Sequence, residues 1–233
     1  MRKTNGSPHV GRWNTGVMPR IGFLHTAQVH VPTFEALVGD ADDSSSCVHR
    51  VEPDLLVQVR RNGPTADVEE ATLAVLHQLA DNGVDVIVCT CSTLGSVAEA
   101  VEARLPVPVL RVDRPMARAA VQAGSRIAVI AALESTLEPT RALLAAEARS
   151  EGASLTIIDV GVPDAWAAFE SGDSDGYLRQ VADAARSIAE SVDVVVLAQA
   201  SMMGAAAMLT DLRRPVLVSP VLAVQHAVSA SSR

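Results

Sequence analysis

The chain repeats itself. Matching segments recur in the same order at an offset of about 107 residues, a length typical of one small domain. Arg20-Ile21-Gly22-Phe23-Leu24 returns as Arg126-Ile127-Ala128-Val129-Ile130, and the dipeptide Pro32-Thr33 returns as Pro139-Thr140. Further on, the run Val84 to Val88 returns as Val192 to Val196, and Pro108-Val109-Leu110 as Pro215-Val216-Leu217. Such a chain is confined to architectures made of two like units related by a pseudo-two-fold. The repeat also makes position transferable: Cys91, after the first VDVIV run, and Gln199, after VDVVVLA, occupy equivalent places.

Between the matches, short Val/Ile-rich runs alternate with helical periodicity. Strands are predicted near Ile21 to His25, Cys47 to Glu52, Val84 to Cys91, Val107 to Val112, Arg126 to Leu133, Leu155 to Val160, Asp193 to Gln199 and Pro215 to Ser219. The segment Asp67 to Asn82 sets Val68, Thr72, Val75, Leu76 and Leu79 on one helical face and leaves His77 off it, facing solvent. Continuous apolar strands separated by helices imply parallel strands buried on both faces. The expected fold is α/β: two similar Rossmann-like lobes with parallel sheets and the active site in the cleft between them. The expected boundaries are a mobile N-terminal arm over 1–19, lobes over 20–113 and 114–220, and a C-terminal segment over 221–233 packing back on the first lobe. Trp13 has room to dock within that arm's reach.

Composition narrows the function. A net charge of -8 and 3% aromatic residues leave neither the basic stripe nor the stacking rings of a nucleic-acid surface. No apolar run reaches membrane-span length, and the start of the chain lacks the apolar core of a signal peptide, so a cytoplasmic protein is expected. Cys47, Cys89 and Cys91 are too few for a disulfide framework and suit a reducing compartment. No metal is expected, because the histidines are scattered and Cys89 with Cys91 supplies only two ligands. No cofactor is expected either. Neither G-x-G-x-x-G nor G-x-x-x-x-G-K-[ST] occurs, and Lys3, the only lysine, lies in the arm.

Ligands of open parallel sheets bind outside the carboxyl ends of strands. Cys91 stands at such an end, with Ser92, Thr93 and Gly95 opening a helix whose free N–H groups favour an anion, and a small carboxylate is the obvious one. Ser135 and Thr136 open another helix. Ser135 with Glu138 also matches a capping box, so capping and ligand contact stand level for Ser135. Cys89 reads as core and Cys47 receives no role. His25 ends the first strand and reads equally as a satisfied histidine or a catalytic one.

Cys91-Ser92-Thr93 after its strand, the counterpart in the second lobe and the two-lobed repeat resemble the aspartate/glutamate racemase superfamily, which includes hydantoin racemases, maleate isomerases and arylmalonate decarboxylases. The resemblance covers the chain from Arg20 onward. It implies a cofactor-independent isomerase acting at the α-carbon of a small carboxylic or amino acid, with Cys91 as acid/base and Ser92, Thr93, Ser135, Thr136 and Ser201 around the substrate. It also implies a homodimer. The family's second cysteine is absent, because Gln199 stands there. A glutamine amide cannot accept a proton at neutral pH, although it can donate a hydrogen bond to an oxyanion. The readings left open are a racemase borrowing another base such as His25, a single-thiol isomerase or decarboxylase of a dicarboxylate, and a carboxylate-binding protein without turnover.

Overall fold

The computed structural model describes residues 18–231. The N-terminal arm, with Trp13 and Lys3, lies outside the described residues except for Met18 and Pro19. In chain order the elements are β1 (Arg20–His25), α1 (His30–Ala41), β2 (Ser46–Val51), α2 (Pro53–Asn62), α3 (Ala66–Asp81), β3 (Val86–Cys89), α4 (Ser92–Ala100), β4 (Val109–Arg111) and α5 (Arg114–Ala123). The second half continues with β5 (Arg126–Ala131), α6 (Glu134–Ser150), β6 (Thr156–Gly161), α7 (Pro163–Glu170), α8 (Ser174–Ala189), β7 (Val194–Leu197), α9 (Met203–Ala207), β8 (Val216–Val218) and α10 (Ser219–Ser231).

Two four-stranded sheets result, with orders β2-β1-β3-β4 and β6-β5-β7-β8, and every pairing in both is parallel. The inner strands β3 and β7 are buried along their whole length, which is why their sequences are continuous Val/Ile runs rather than alternating ones. The repeat extends to single bonds. Asp85 accepts from the Arg20 backbone N–H at 2.7 Å, and Asp193 from that of Arg126 at 2.9 Å, so each VDV run clips the start of the neighbouring strand. Each predicted strand is present, most of them shorter than expected. β3, for example, pairs with β1 only as far as Leu24↔Cys89. Beyond that pair the chain is already turning towards α4. In α3 the stripe Val68, Thr72, Leu76 and Leu79 is buried and His77 is exposed.

The last helix of each half crosses to the other sheet. α5 follows β4 of the first sheet but packs Met116, Ala117, Ala120 and Val121 against Ile127, Val129, Val194 and Val196 of the second. α10 follows β8 of the second sheet and packs Ala223, Val224 and Ala227 against Ile21, Phe23, Val86 and Val88 of the first. Each sheet therefore completes its core with a helix that follows the other.

Candidate active site

Four loops meet where the two sheets present their strand ends. After β1 come Thr26 and Ala27, after β3 come Thr90 to Thr93, after β5 comes Leu133, and after β7 come Gln199 to Ser201. These loops, with His30, Leu56, Thr136, Trp166 and Phe169, line a cavity of about 70 Å³ between the lobes. Cavities of about 360 and 370 Å³ open elsewhere, along α5 and between α2 and α6. Neither contains a thiol or both sets of strand ends, so the smaller cleft is the candidate site.

Cys91 occupies the N-cap position of α4 and is partly open to the cleft. Burial pushes its thiol above the ordinary value; hydrogen bonds from the Thr26 hydroxyl and the backbone N–H groups of Leu94 and Thr93 pull it back, and Asp113 raises it slightly. The balance is upward. A helix N-terminus behind a cysteine leads one to expect an acidified thiol, but here desolvation outweighs the donors. Cys89 is fully buried in the first-lobe core, as read from the sequence.

Gln199 takes the equivalent place in the second lobe. Its Oε1 accepts from the backbone N–H groups of Ala132 at 2.7 Å and Leu133 at 3.1 Å. Two donors at one end of the amide fix which end is oxygen. The Nε2 group, with no partner among the described residues, is left for the cleft. Gln199 thus satisfies the turn before α6, and the capping box that stood level with ligand contact for Ser135 does not form: α6 starts at Glu134 with Leu133 at its N-cap, and the Ser135 hydroxyl is buried without a partner among the described residues.

The remaining hydroxyls divide into those spent on partners within the protein and those left for a ligand. Ser92 donates to the Ala198 carbonyl at 3.2 Å, across the cleft. Thr93 donates to the Ser135 carbonyl at 3.4 Å. That carbonyl is spare because Pro139, four residues on within α6, has no N–H to give it. Ser201 bonds the Tyr177 hydroxyl at 2.7 Å. Thr136, though buried, lines the cleft with no side-chain partner among the described residues.

His25 is not at the cleft. It is fully buried beneath it, with Nδ1 2.8 Å from Thr90 Oγ1 and Nε2 2.9 Å from His49 Nδ1. Thr90 donates its own hydrogen to the Leu24 carbonyl, so it accepts from His25 Nδ1–H, and His25 Nε2 accepts from His49. Burial, then the neighbouring His49 and His30, lower its pKa to about 3. Both nitrogens are spent and the ring stays neutral, so of the two readings of His25 the structure favours the satisfied histidine. The histidine that does line the cleft is His30, the first residue of α1, with its pKa lowered by burial. Sequence reasoning passed it over. Its one signal was position, because a helix following a strand end starts at the cleft.

The sequence matches the family model described as Asp/Glu/Hydantoin racemase over residues 28–227, most of the chain. The chain belongs to the Asp/Glu/hydantoin racemase family. Family membership makes it a racemase-type isomerase. Solved structures agree on the fold of the family member described above. An aspartate racemase from Picrophilus torridus superimposes with a TM-score of 0.70 at 12% identity, over 91% of this chain and 94% of that one. A glutamate racemase from Bacillus anthracis gives 0.66 at 18% identity over 91% and 80%. An allantoin racemase from Klebsiella pneumoniae gives 0.62 at 19% identity over 91% and 86%. No curated protein matches the chain by sequence.

Proposed function

We propose that this racemase-family protein moves a proton at the α-carbon of a small carboxylic acid or its amide-like derivative, with Cys91 as the acid/base. The observation that carries the reading is the pairing of one thiol in the first lobe with a Gln199 amide whose oxygen is held by backbone and whose Nε2–H is free. The thiolate takes the α-proton and the electron pair left behind spreads onto the carboxyl oxygens. Gln199 Nε2–H and the Thr136 hydroxyl are available to hydrogen-bond that oxyanion, which is where fixed donors contribute most. Collapse of the intermediate returns the proton from sulfur to carbon. Because burial raises the thiol pKa, the active thiolate is the minor form at neutral pH, and turnover rises with pH.

A second reading gives His30 the opposite face of the α-carbon. It is favoured by the placement of a neutral imidazole on the cleft wall, where it can accept a proton. Incubation of each enantiomer of an α-substituted carboxylate in deuterated water separates the two. One-thiol chemistry gives exchange from one enantiomer, abolished in Cys91→Ala and retained in His30→Gln. Two-base chemistry gives exchange from both, with His30→Gln removing one. Carboxylate binding without exchange from either would sink both.

A further inference from the structure

Behind the cleft, β2 brings His49 against α1 and leaves one of its ring nitrogens without a hydrogen-bond partner among the described residues. Strand alternation explains the placement: Val48 packs into the core under α3, so Cys47 and His49 point to the other face, where α1 lies. There the His49 ring stacks on Phe23 and His25, at centroid distances of 5.2 and 5.1 Å. The directions of its hydrogen bonds follow from Thr90. That hydroxyl donates to the Leu24 carbonyl, so His25 donates to it through Nδ1 and accepts at Nε2, at 2.9 Å, from His49 Nδ1–H. A neutral His49 therefore holds a bare lone pair at Nε2, and that nitrogen is buried 3.6 Å from Glu35 Oε1. Two acceptors face each other with no hydrogen between them.

One proton at Nε2 repairs this. It turns the nitrogen into a donor, gives the ring the charge opposite to Glu35, and leaves the bond to His25 intact because Nδ1–H is already present. The surroundings offer His49 nothing else. From β1 the facing titratable group is His25, kept neutral by burial; from α1 they are Glu35 and His30, the latter with its pKa lowered by burial. From β2 itself it is Cys47, pushed up to about 11 by burial and by Glu35. α10 brings Ala223, Val224 and Ala227 to the cluster, and Arg50 turns to Gln78 of α3 on the far face. Glu35 is thus the one counter-charge facing His49 among the described residues. Burial of the ring opposes protonation and outweighs Glu35, so the proton arrives below the ordinary histidine range.

We infer that Glu35 and His49 form a proton-operated latch that positions His30 at the cleft. Glu35 lies on the same helix as His30, one turn and a half further on, and His30 lines the cleft wall. A helix is stiff over the ~7.5 Å between them, so what draws Glu35 towards β2 also sets His30. The proton comes from solvent, to which the Glu35 side chain is 58% exposed. With the proton on His49 Nε2, the bond to Glu35 closes and ties α1 to β2. Without it, α1 rests there on the apolar packing of Phe34 and Val38. Both are positioning residues, since neither lines the cleft. The consequence for turnover rests on the reading of the Cys91 cleft as the catalytic site; the latch itself does not.

The test compares the wild type with Glu35→Gln and Glu35→Ala, both at an exposed helix position that tolerates substitution. A glutamine amide donates a hydrogen to the His49 lone pair without a proton from solvent, so Glu35→Gln should hold the latch shut at every pH. Glu35→Ala should leave it open at every pH. Nitrogen-15 NMR of the imidazoles from pH 7.5 to 4.5 should show His49 as the Nδ1–H form in neutral solution and protonated at Nε2 in acid, at a pH lower by about one unit in Glu35→Ala. Hydrogen exchange of the α1 amides, corrected for its intrinsic pH dependence, should slow about five-fold in the wild type over that range. It should stay slow in Glu35→Gln and fast in Glu35→Ala. The α-deuterium exchange rate of the wild type should match that of Glu35→Ala at neutral pH and approach that of Glu35→Gln in acid. Equal protection in the two variants, wild-type protection that ignores pH, or a His49 that titrates unchanged without Glu35 would overturn the latch. Exchange rates that do not follow an observed latch would overturn its positioning of His30. A latch seen by NMR and hydrogen exchange, with no α-deuterium exchange in any of the three proteins, would leave the latch standing and count against the proton-transfer reading instead.

Discussion

At Cys91 the contest is between desolvation, which holds the thiol protonated, and three hydrogen-bond donors that favour the thiolate. Desolvation prevails, so iodoacetamide should label Cys91 more slowly than a free cysteine at neutral pH and accelerate as pH rises through the elevated pKa. A bound carboxylate should slow it further. Mass-spectrometric rates that are fast at pH 7 and flat with pH would contradict this. His25 tests the same physics through stability. Its folded pKa is about 3 against an ordinary 6.5, so below about pH 6.5 the unfolded chain binds a proton that the folded one refuses. Stability then falls on acidification by at most about 1.4 kcal/mol per pH unit until the folded pKa is reached. Burial also lowers the pKa of His30 and His49, so urea titrations from pH 7 to 4 should show a slope to which all three histidines contribute, and His25→Gln should reduce it. The sequence identified a histidine at the end of β1 but could not say whether its ring points to the cleft or into the core. That depends on the Thr90 and His49 side chains, which lie 65 and 24 residues away.

Within elements, α4 and β4 are joined through an arginine. Arg111 makes a two-pronged pair with the fully buried Asp113, at 2.9 and 2.8 Å, and reaches Glu99 of α4 at 3.5 Å. It lies so close over α4 that a Cβ on Gly95 would come within 2.8 Å of its Nε. Arg111→Ala leaves Asp113 as a buried charge without its partner, and a loss of about 3–5 kcal/mol is expected in chemical denaturation. Gly95→Ala should cost less, because the long side chain can shift. Unchanged stability of Arg111→Ala would show that Asp113 is relieved by other groups. At this scale the capping box also failed as a signal. Ser135 and Glu138 have the right spacing, but Gln199, 64 residues beyond Ser135, takes the N–H groups before α6, and Glu138 turns to Arg141 at 2.6 Å.

Across the molecule the exchanged helices make the two lobes one cooperative unit. Removing residues 219–233 strips Ala223, Val224 and Ala227 from the first sheet and bares Phe23, Phe34 and Val38 to water. The expected loss is roughly 5 kcal/mol or more from apolar burial, comparable with the whole stability of an ordinary domain. The truncated chain should bind a hydrophobic dye and lack a sharp thermal transition by circular dichroism, although among the described residues none of Ser219–Ser231 lines the Cys91 cleft. The intact chain should unfold in one transition, and two well-separated transitions would mean that the lobes are independent. Arg114 of α5, bonded to Glu99 of α4 and to Glu147 of α6, adds a charged tie across the same junction.

The Val/Ile runs and the 107-residue repeat were enough to determine the two parallel sheets, the eight strands and the equivalence of Cys91 with Gln199. Burial on both faces of a strand is written into its composition, and duplication is written into the order of residues. The tertiary structure decided matters that depend on partners distant in sequence: His30 rather than His25 at the cleft, the oxygen of Gln199 spent on Ala132 and Leu133, and the hydroxyls of Ser92 and Thr93 spent on joining the lobes. It also decided that, among the described residues, no Asp, Glu, Lys or Arg lines the cleft. Net charge and residue counts cannot show that, because it depends on which residues of each loop face inward once the sheets are packed.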